Sequence, residues 1–149
     1  MIIADINLLL YACFSTFEQH AAARKWFEAA LNGSEQLLLP GVSVFGFVRI
    51  ATNPRVFERP LRVESALEMV EAWLSQPHVH FLVPGPRHLE IAFGLLRELG
   101  AARNLTTDVQ LAAHAIENQA TLCSNDTDFA RFQGLRWLNP LDPAPRRRR

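Results

Sequence analysis

The chain has 149 residues, of which 49% are hydrophobic and 20% charged, a composition typical of one globular domain with its own hydrophobic core. No apolar run reaches the roughly 18 residues that a membrane-spanning helix needs. The N-terminus has no basic leader and carries an early Asp5, which argues against a secretory signal. Cys13 and Cys123 lie in apolar surroundings without metal-ligand spacing, so we expect buried reduced thiols in a cytoplasmic protein.

The formal net charge of zero conceals an acidic body. Four of the 15 basic residues are Arg146 to Arg149, and without them 11 basic residues stand against 15 acidic ones, a net charge of −4. A general nucleic-acid-binding protein is expected to be basic. Any contact with nucleic acid is therefore expected to be local or mediated by a metal.

The hydrophobic pattern predicts short strands that alternate with amphipathic helices. The strands are predicted at 1–5, 36–39, 79–83, 120–123 and 135–138, and the helices at 7–10, 18–31, 42–51, 63–75, 89–99 and from 108. The segment 42–51 also permits a strand. Thr107 is the predicted N-cap of the last helix, which would make Asp108 its first residue.

This alternation indicates βαβ units, and therefore a three-layer α/β/α fold around a mostly parallel sheet of about five short strands. We expect one domain over 1–141 and a disordered tail rich in Pro and Arg over 142–149. In such sheets the functional crevice lies beyond the carboxyl ends of the strands.

The aspartates are concentrated at that edge. Of the five in the chain, Asp5, Asp108, Asp126 and Asp128 lie at predicted strand ends or helix starts. Asp126 and Asp128 follow the apolar run at 120–123, where a helix cap at 127–131 explains them as well as a metal site does. A cap does not explain Asp5 well, because it ends a hydrophobic strand.

If the four carboxylates converge, they form an oxygen-only site suited to Mg²⁺ or Mn²⁺. A metal held there would polarise a phosphoryl oxygen, lower the pKa of a bound water and neutralise charge on a leaving oxygen. The sequence contains no Walker A loop, no GxGxxG motif, and no serine–histidine or cysteine–histidine arrangement that would indicate another chemistry.

Four segments together resemble the PIN-domain family, and specifically the VapC-type toxin ribonucleases of bacterial toxin–antitoxin systems. They are MIIADINLLLYA at the start, GFVRIATNPRVF at 46–57, NLTTDVQLAAHAIENQATLCSNDTDFARF at 104–132, and GLRWLNPL at 134–141. The similarity covers the chain up to about Leu141. The combination of a first-strand Asp, a TD-x-x-LAA helix and an S-x-D-x-DF turn is its most specific part.

The resemblance implies a PIN fold, Mg²⁺- or Mn²⁺-dependent endoribonuclease activity, a cognate antitoxin and a homodimer in the bacterial cytoplasm. It implies that Asp5, Asp108 and Asp126 are metal-binding catalytic acids and that Asp128 is a supporting or second-site acid. Asn7 and Ser124 are implied as polar residues that orient the site.

The sequence departs from the family pattern at one position. Many PIN domains have a glutamate in an E-F-x-R pattern after the second strand, whereas here the pattern begins with Gly46. We therefore expect one metal held by Asp5, Asp108 and Asp126 rather than a complete two-metal site.

Five aromatic or sulfur-containing residues are predicted core residues, with any exposed one available to a protein partner: Trp26, Phe45, Phe47, Met69 and Trp73. Arg49 and Arg55 border the predicted crevice and are candidate contacts for RNA phosphate, the alternative being surface ion pairs with glutamates. The Arg146–Arg149 tail is expected to add nonspecific RNA affinity.

Two other functions are open. A degenerate PIN-fold module that binds RNA or protein without cleavage is favoured by Gly46. A phosphoryl-transfer protein with an aspartyl nucleophile is disfavoured, because the only lysine is Lys25 and the second aspartate that such phosphatases use is replaced by Asn7.

Overall fold

A computed structural model describes residues 1–143. The strands are β1 (Ile2–Ala4), β2 (Leu37–Pro40), β3 (Val79–Leu82), β4 (Thr121–Cys123) and β5 (Arg136–Leu138). The α-helices are α1 (Ile6–Cys13), α2 (His20–Asn32), α3 (Gly41–Ala51), α4 (Val63–Leu74), α5 (His88–Leu99) and α6 (Thr106–Glu117). A 3₁₀ helix, called here the 127–131 turn, spans Thr127–Arg131.

The five strands form one sheet in the order β3-β2-β1-β4-β5, and every neighbouring pair is parallel. The predicted number of strands and their parallel direction are confirmed. Since β1 is central, its carboxyl end lies between those of β2 and β4. Parallel strands buried on both faces are typically continuous apolar runs, as in Leu37–Pro40, where all four residues are buried.

The sheet separates two hydrophobic layers, as the three-layer prediction requires. Leu37 and Leu39 pack with residues of α1 to α4, whereas Leu38 between them packs with residues of α5 and α6. Because successive side chains of a strand point to opposite faces, one short strand contributes to both layers.

The end of α5 was predicted correctly from the sequence, whereas the start of α6 was not. Gly100 adopts φ +72° directly after α5, and the predicted end of that helix is confirmed. Thr107 is not the N-cap of α6: the helix begins at Thr106 without a side-chain cap. The Val109 N–H already donates to the Leu105 carbonyl at 2.8 Å, so the helix starts two residues before the predicted position.

The predicted aromatic core is correct except at one residue. Phe47 and Trp73 are buried, and Trp26 and Met69 are partly buried against the same layer. Phe45 was wrongly predicted as core, because its side chain is 68% exposed. Residues two positions apart on a helix do not share a face. Phe45 therefore lies on the face of α3 opposite Phe47 and points away from the sheet.

Both cysteines are free; Cys123 is buried as predicted, whereas Cys13 is only partly buried. Burial raises the pKa of each thiol to about 12, so neither is a reactive thiolate. No helix within residues 1–143 has the length and hydropathy needed to cross a membrane. Of the predicted tail, Asp142 and Pro143 follow β5 in a turn region, and 144–149 lie outside the described residues.

Candidate active site

The register of the two central strands places Asp5 beside Ser124. Ala4 of β1 pairs with Cys123 of β4, and the Asp5 N–H donates to the Cys123 carbonyl at 3.0 Å. Asp5 and Ser124, the residues that follow the two strands, therefore leave the sheet at the same edge. This is the carboxyl edge at which a crevice is expected in parallel sheets.

The Ser124 hydroxyl links three predicted site residues. It donates to Oδ2 of Asp5 at 2.6 Å. It accepts from Nδ2 of Asn7 at 3.2 Å and from the N–H of Asp126 at 3.0 Å. With one donor and two acceptor sites, this hydroxyl is fully satisfied, and it is completely buried.

The geometry at Ser124 also fixes the orientation of the Asn7 amide. Because the single hydroxyl proton is given to Asp5, Asn7 must present its NH₂ group to Ser124. The Oδ1 atom of Asn7 is then buried and has no hydrogen-bond partner within the described chain. A buried orphaned acceptor at this edge is a place where a water or a cation would be stabilised.

Asp5 also acts as a helix cap, contrary to the expectation that a cap would not explain it. Its Oδ1 accepts from the Ile6 N–H at 2.7 Å, and it is the N-cap residue of α1. The sequence did not indicate this because α1 starts immediately after β1, with Asp5 as the only connecting residue. Asp5 thus has a structural role in addition to any chemical one.

Asp126 and Asp128 likewise take part in a helix cap. Oδ1 of Asp126 accepts from the Asp128 N–H at 2.8 Å, which makes Asp126 the N-cap of the 127–131 turn. Asp128 forms an exposed ion pair with Arg131 at 3.0 Å. The cap, one of the two alternatives for this turn, is observed, and Asp128 is the acid of the two that already has a cationic partner.

Asp108 lies in the first turn of α6. Because a crossover helix runs antiparallel to the strand that follows it, its N-terminus lies at the carboxyl edge of the sheet, close to Asp5 and Asp126. The pKa of Asp108 is raised to about 6 by burial and by the charges of Asp5, Asp126 and Asp128, against a lowering by Arg131.

The pKa of Asp5 is also raised, first by burial and further by the charge of Asp126. The hydrogen bonds from Ser124 and Ile6 oppose that rise because they stabilise the carboxylate. Mutual repulsion among these acids means that the site favours an additional positive charge. These mutual pKa shifts indicate that the acids predicted from the sequence lie close to one another.

Tyr11 belongs to the same neighbourhood and was not predicted. Burial and the charges of Asp5 and Asp126 raise the pKa of its phenol. It lies one turn after Asn7 on α1, where residues four apart share a face. That spacing was the available signal, but the surrounding apolar run made Tyr11 resemble a core residue.

The residues present suit a hard divalent cation by their chemistry, since the converging groups are carboxylate, amide and hydroxyl oxygens. Within residues 1–143, no three carboxylate, imidazole or thiol groups stand close enough together to hold one ion between them. The acids are therefore close enough to influence one another's pKa but form an open arrangement, which side-chain rotation would have to tighten around an ion.

Gly46, at the position of the family's acid, is buried beneath Ile6. A Cβ atom at Gly46 would collide with Cδ1 of Ile6. The space beside α3 that a side chain at position 46 would enter is thus occupied by an apolar group. A side chain at position 46 would therefore require Ile6 to move, and the expectation of a single metal remains a prediction.

The two candidate RNA-binding arginines are exposed. Within residues 1–143, the four ion pairs of the chain involve neither Arg49 nor Arg55, so the alternative of glutamate pairing is not observed. Arg49 lies on α3 next to Gly46, whereas Arg55 follows the helix in a turn in which its N–H donates to Asn53 at 2.9 Å.

The chain is similar to several known proteins. The family described as PIN domain matches residues 2–135. Ribonuclease VapC33 of Mycobacterium tuberculosis is 54% identical over 141 residues, covering 95% of this chain and 99% of the relative. Ribonuclease VapC37 of the same organism is 40% identical, with 94% and 97% covered.

Among solved structures, the fold is similar to that of VapBC2 from Rickettsia felis bound to a DNA fragment from its promoter. The TM-score is 0.66 at 19% identity, and the match covers 93% of this chain and 98% of that chain. At this identity the likeness concerns the fold alone.

Proposed function

The chain belongs to the PIN-domain family and groups there with the VapC ribonucleases, and from that premise we propose that it is the toxin of a bacterial toxin–antitoxin pair. It is proposed to hydrolyse RNA phosphodiester bonds with Mg²⁺ or Mn²⁺. The observation that carries this proposal is the network in which Ser124 joins Asp5, Asn7 and Asp126 beside Asp108.

In this mechanism Asp5, Asp108 and Asp126 would hold the cation, which when bound would supply charge neutralisation and an activated water for phosphodiester hydrolysis. Ser124 fixes the rotamer of Asp5 through its 2.6 Å hydrogen bond. The Asp126 N–H bond to Ser124 sets the position of the turn that carries Asp126. Asp128, already paired with Arg131, supports the turn and adds negative charge without being a direct ligand.

The partners follow from the same premise. The two relatives compared above are named ribonucleases, and the solved VapBC2 assembly is bound to promoter DNA. We propose RNA as the substrate, a cognate antitoxin as the inhibitor, a homodimer as the assembly and the bacterial cytoplasm as the location. The proposed RNA contacts are Arg49 and Arg55.

The test is cleavage of labelled RNA by Asp5→Asn, Asp108→Asn and Asp126→Asn. Each variant is expected to lose cleavage by roughly 100-fold or more, the scale of losing a metal or acid–base group. Glu117→Gln is the matched control: its carboxylate accepts N–H bonds from Gly85 and Arg87 at the start of α5, away from the acids. Wild-type cleavage by Asp5→Asn or Asp108→Asn would refute the assignment.

A second readout of the same site is the stability of the metal-free protein. The folded pKa of Asp108, about 6, lies above its ordinary 3.8, so its contribution to stability is present at low pH and is lost as pH rises through 6. Asp108→Asn is therefore expected to stabilise the metal-free protein at pH 8 by about 1 kcal/mol, reduced by solvent screening. Mn²⁺ should raise the melting temperature of the wild type and not that of the variant.

A second candidate, a PIN-fold binding module without catalysis, is favoured by the apolar Ile6 over Gly46 and by the open arrangement of the acids. It predicts RNA binding without cleavage and no stabilisation by Mn²⁺. Calorimetric titration of the whole chain with Mn²⁺, with and without RNA, separates it from the toxin, because only the toxin should bind the ion at this site.

A further inference from the structure

A cleft of about 440 Å³ lies between α3 and the start of α1 and α6. Its lining includes Ile6, Val42, Phe45, Gly46, Arg49 and Thr107. Ile6 directly follows Asp5 and Thr107 directly precedes Asp108. The cleft therefore opens beside the proposed catalytic acids, within one residue of two of them.

The α3 wall of the cleft is a continuous stripe. Val42, Phe45, Gly46 and Arg49 have the spacing i, i+3, i+4, i+7 that places residues on one face of a helix. Phe45 is 68% exposed although it borders an apolar cavity. Gly46 allows Ile6 to lie against the helix, so that an aliphatic side chain and the aromatic ring line the same cleft.

The polar groups of the cleft are free to bind a ligand. The Arg49 guanidinium is exposed and makes neither an ion pair nor a hydrogen bond with the described part of the chain. The Thr107 hydroxyl likewise has no hydrogen-bond partner in residues 1–143. It is not one of the buried polar atoms that lack a partner, so solvent or a ligand can reach it. The cleft thus combines an aromatic face, an aliphatic wall, one cation and one hydroxyl.

We propose that this cleft binds one unpaired nucleobase of the RNA, which stacks on Phe45 while Arg49 holds an adjacent phosphate. The inference rests on the proposed function and identifies a subsite of it. Single-stranded RNA is recognised by bases stacked on aromatic rings and by cations that follow the backbone. The cleft volume is at the lower end of the roughly 300–1,000 Å³ found for small-ligand sites.

The unpaired cation at Arg49 distinguishes RNA from an apolar protein segment as the occupant. The body of the chain is acidic, with a net charge of −4 outside the terminal arginines, and the acids beside the cleft oppose a phosphate, so a phosphate there needs a cation of its own. An unpaired Arg49 at this position offers the local attraction that a phosphate needs. An apolar segment alone would leave this cation without a partner.

The experiment measures binding of the whole chain to fluorescein-labelled single-stranded RNA of about ten nucleotides, by anisotropy in EDTA so that no cleavage occurs. Phe45→Ala is expected to weaken binding roughly 5- to 100-fold, the scale of losing one stacked base. Phe45→Trp should retain binding, because it keeps a flat ring. Arg49→Gln should weaken binding and reduce the slope of log affinity against log salt by about one.

Matched controls come from α5, which contributes nothing to the cleft. Phe93→Ala removes another exposed ring, 48% accessible, and Arg97→Gln removes another exposed cation. Both are expected to bind RNA as the wild type does. An oligomer with abasic positions distinguishes stacking from backbone contact: wild type and Phe45→Ala should bind it with equal affinity.

Unchanged RNA binding by Phe45→Ala, or an equal loss on the abasic oligomer, would overturn the proposal. If Phe45→Ala binds RNA normally but no longer binds a purified cognate antitoxin, the cleft holds the antitoxin instead, and the proposal is wrong. Phe45-dependent RNA binding without Mg²⁺- or Mn²⁺-dependent cleavage would refute the proposed function while leaving the nucleobase subsite intact.

Discussion

At the scale of single residues, Ser124 determines how the acidic edge is arranged. Its hydroxyl connects side chains that are 119 and 117 residues away in the chain. A buried hydroxyl with all its hydrogen-bonding capacity used is costly to remove, because its partners are then left unsatisfied. The same bond lowers the pKa of Asp5, so stability and electrostatics depend on one oxygen atom.

Ser124→Ala is expected to destabilise the protein by about 1–3 kcal/mol and to raise the pKa of Asp5 further, since the bond that stabilises its carboxylate is lost. The pH at which cleavage reaches half its maximum should therefore rise. Denaturant unfolding and a pH profile of RNA cleavage measure the two effects.

Ser43→Ala is the control for Ser124→Ala. Ser43 is equally buried and its hydroxyl donates to the Ala4 carbonyl at 2.7 Å, outside the acid network. It should cost a similar free energy of unfolding and leave the pH profile unchanged. If both variants shift the profile alike, Ser124 has only a structural role.

Three residues show what could and could not be predicted at this scale. Asp108 and Asp126 were identified from their positions near predicted element boundaries, because strand ends and helix starts follow from local pattern. Phe45 was placed in the core because an aromatic residue between apolar neighbours has the same local pattern whether it is buried or exposed. Only the packing of α3 on the sheet distinguishes the two.

At the scale of elements, the α5–α6 hairpin contains an unusual contact. His88 and His114 are both buried, their ring centroids are 4.2 Å apart, and the Nδ1 atom of each is buried without a hydrogen-bond partner in the described chain. Burial, with a smaller effect of His88, lowers the pKa of His114 to about 4, against a raising by Glu117. The pair is at the end of α6 opposite Asp108.

The hairpin is therefore expected to weaken in acid. The folded pKa of His114 lies below its ordinary 6.5, so the stability it contributes is present above pH 6.5 and is lost as pH falls towards 4. Between pH 7 and pH 5 the loss is on the order of 1–2 kcal/mol. His114→Phe should reduce this loss, as measured by urea unfolding at both pH values.

His80→Gln provides the comparison for His114→Phe. His80 is exposed on the edge strand β3 and bonds to Gln36 at 2.7 Å. That variant should keep the full acid sensitivity of the wild type. An unchanged pH dependence in His114→Phe would mean that other groups cause the loss.

At the scale of the whole molecule, one parallel sheet joins the two hydrophobic layers. β1 and β2 contribute side chains to both layers, so neither layer can lose its packing without disturbing the strands that support the other. The acids lie on the edge of this sheet, and their arrangement depends on the stability of both layers together.

Leu39→Ala and Leu38→Ala test this coupling, since they are neighbours on β2 that face opposite layers. Each is expected to cost about 2–5 kcal/mol and to leave unfolding as one transition. Circular dichroism and tryptophan fluorescence should report the same midpoint, because Trp73 packs with the first layer and Trp137 with the second. Separate midpoints would show that the layers unfold independently.

The control for both substitutions is Leu89→Ala, whose side chain is exposed on α5. It is expected to change stability by less than about 0.5 kcal/mol, as surface substitutions usually do. A large loss there would mean that this part of α5 is covered by another copy or a partner.

The sequence by itself determined the alternation of strands and helices, the three-layer fold around a parallel sheet and the presence of aspartates at the carboxyl edge of that sheet. These features follow from hydrophobic period and chain direction, which are local properties. The tertiary structure alone decided that Ser124 joins Asp5 to Asp126, that Ile6 covers Gly46 and that Phe45 borders an open cleft. Each depends on strand register or on the packing of helices distant in sequence, and no local pattern encodes those contacts.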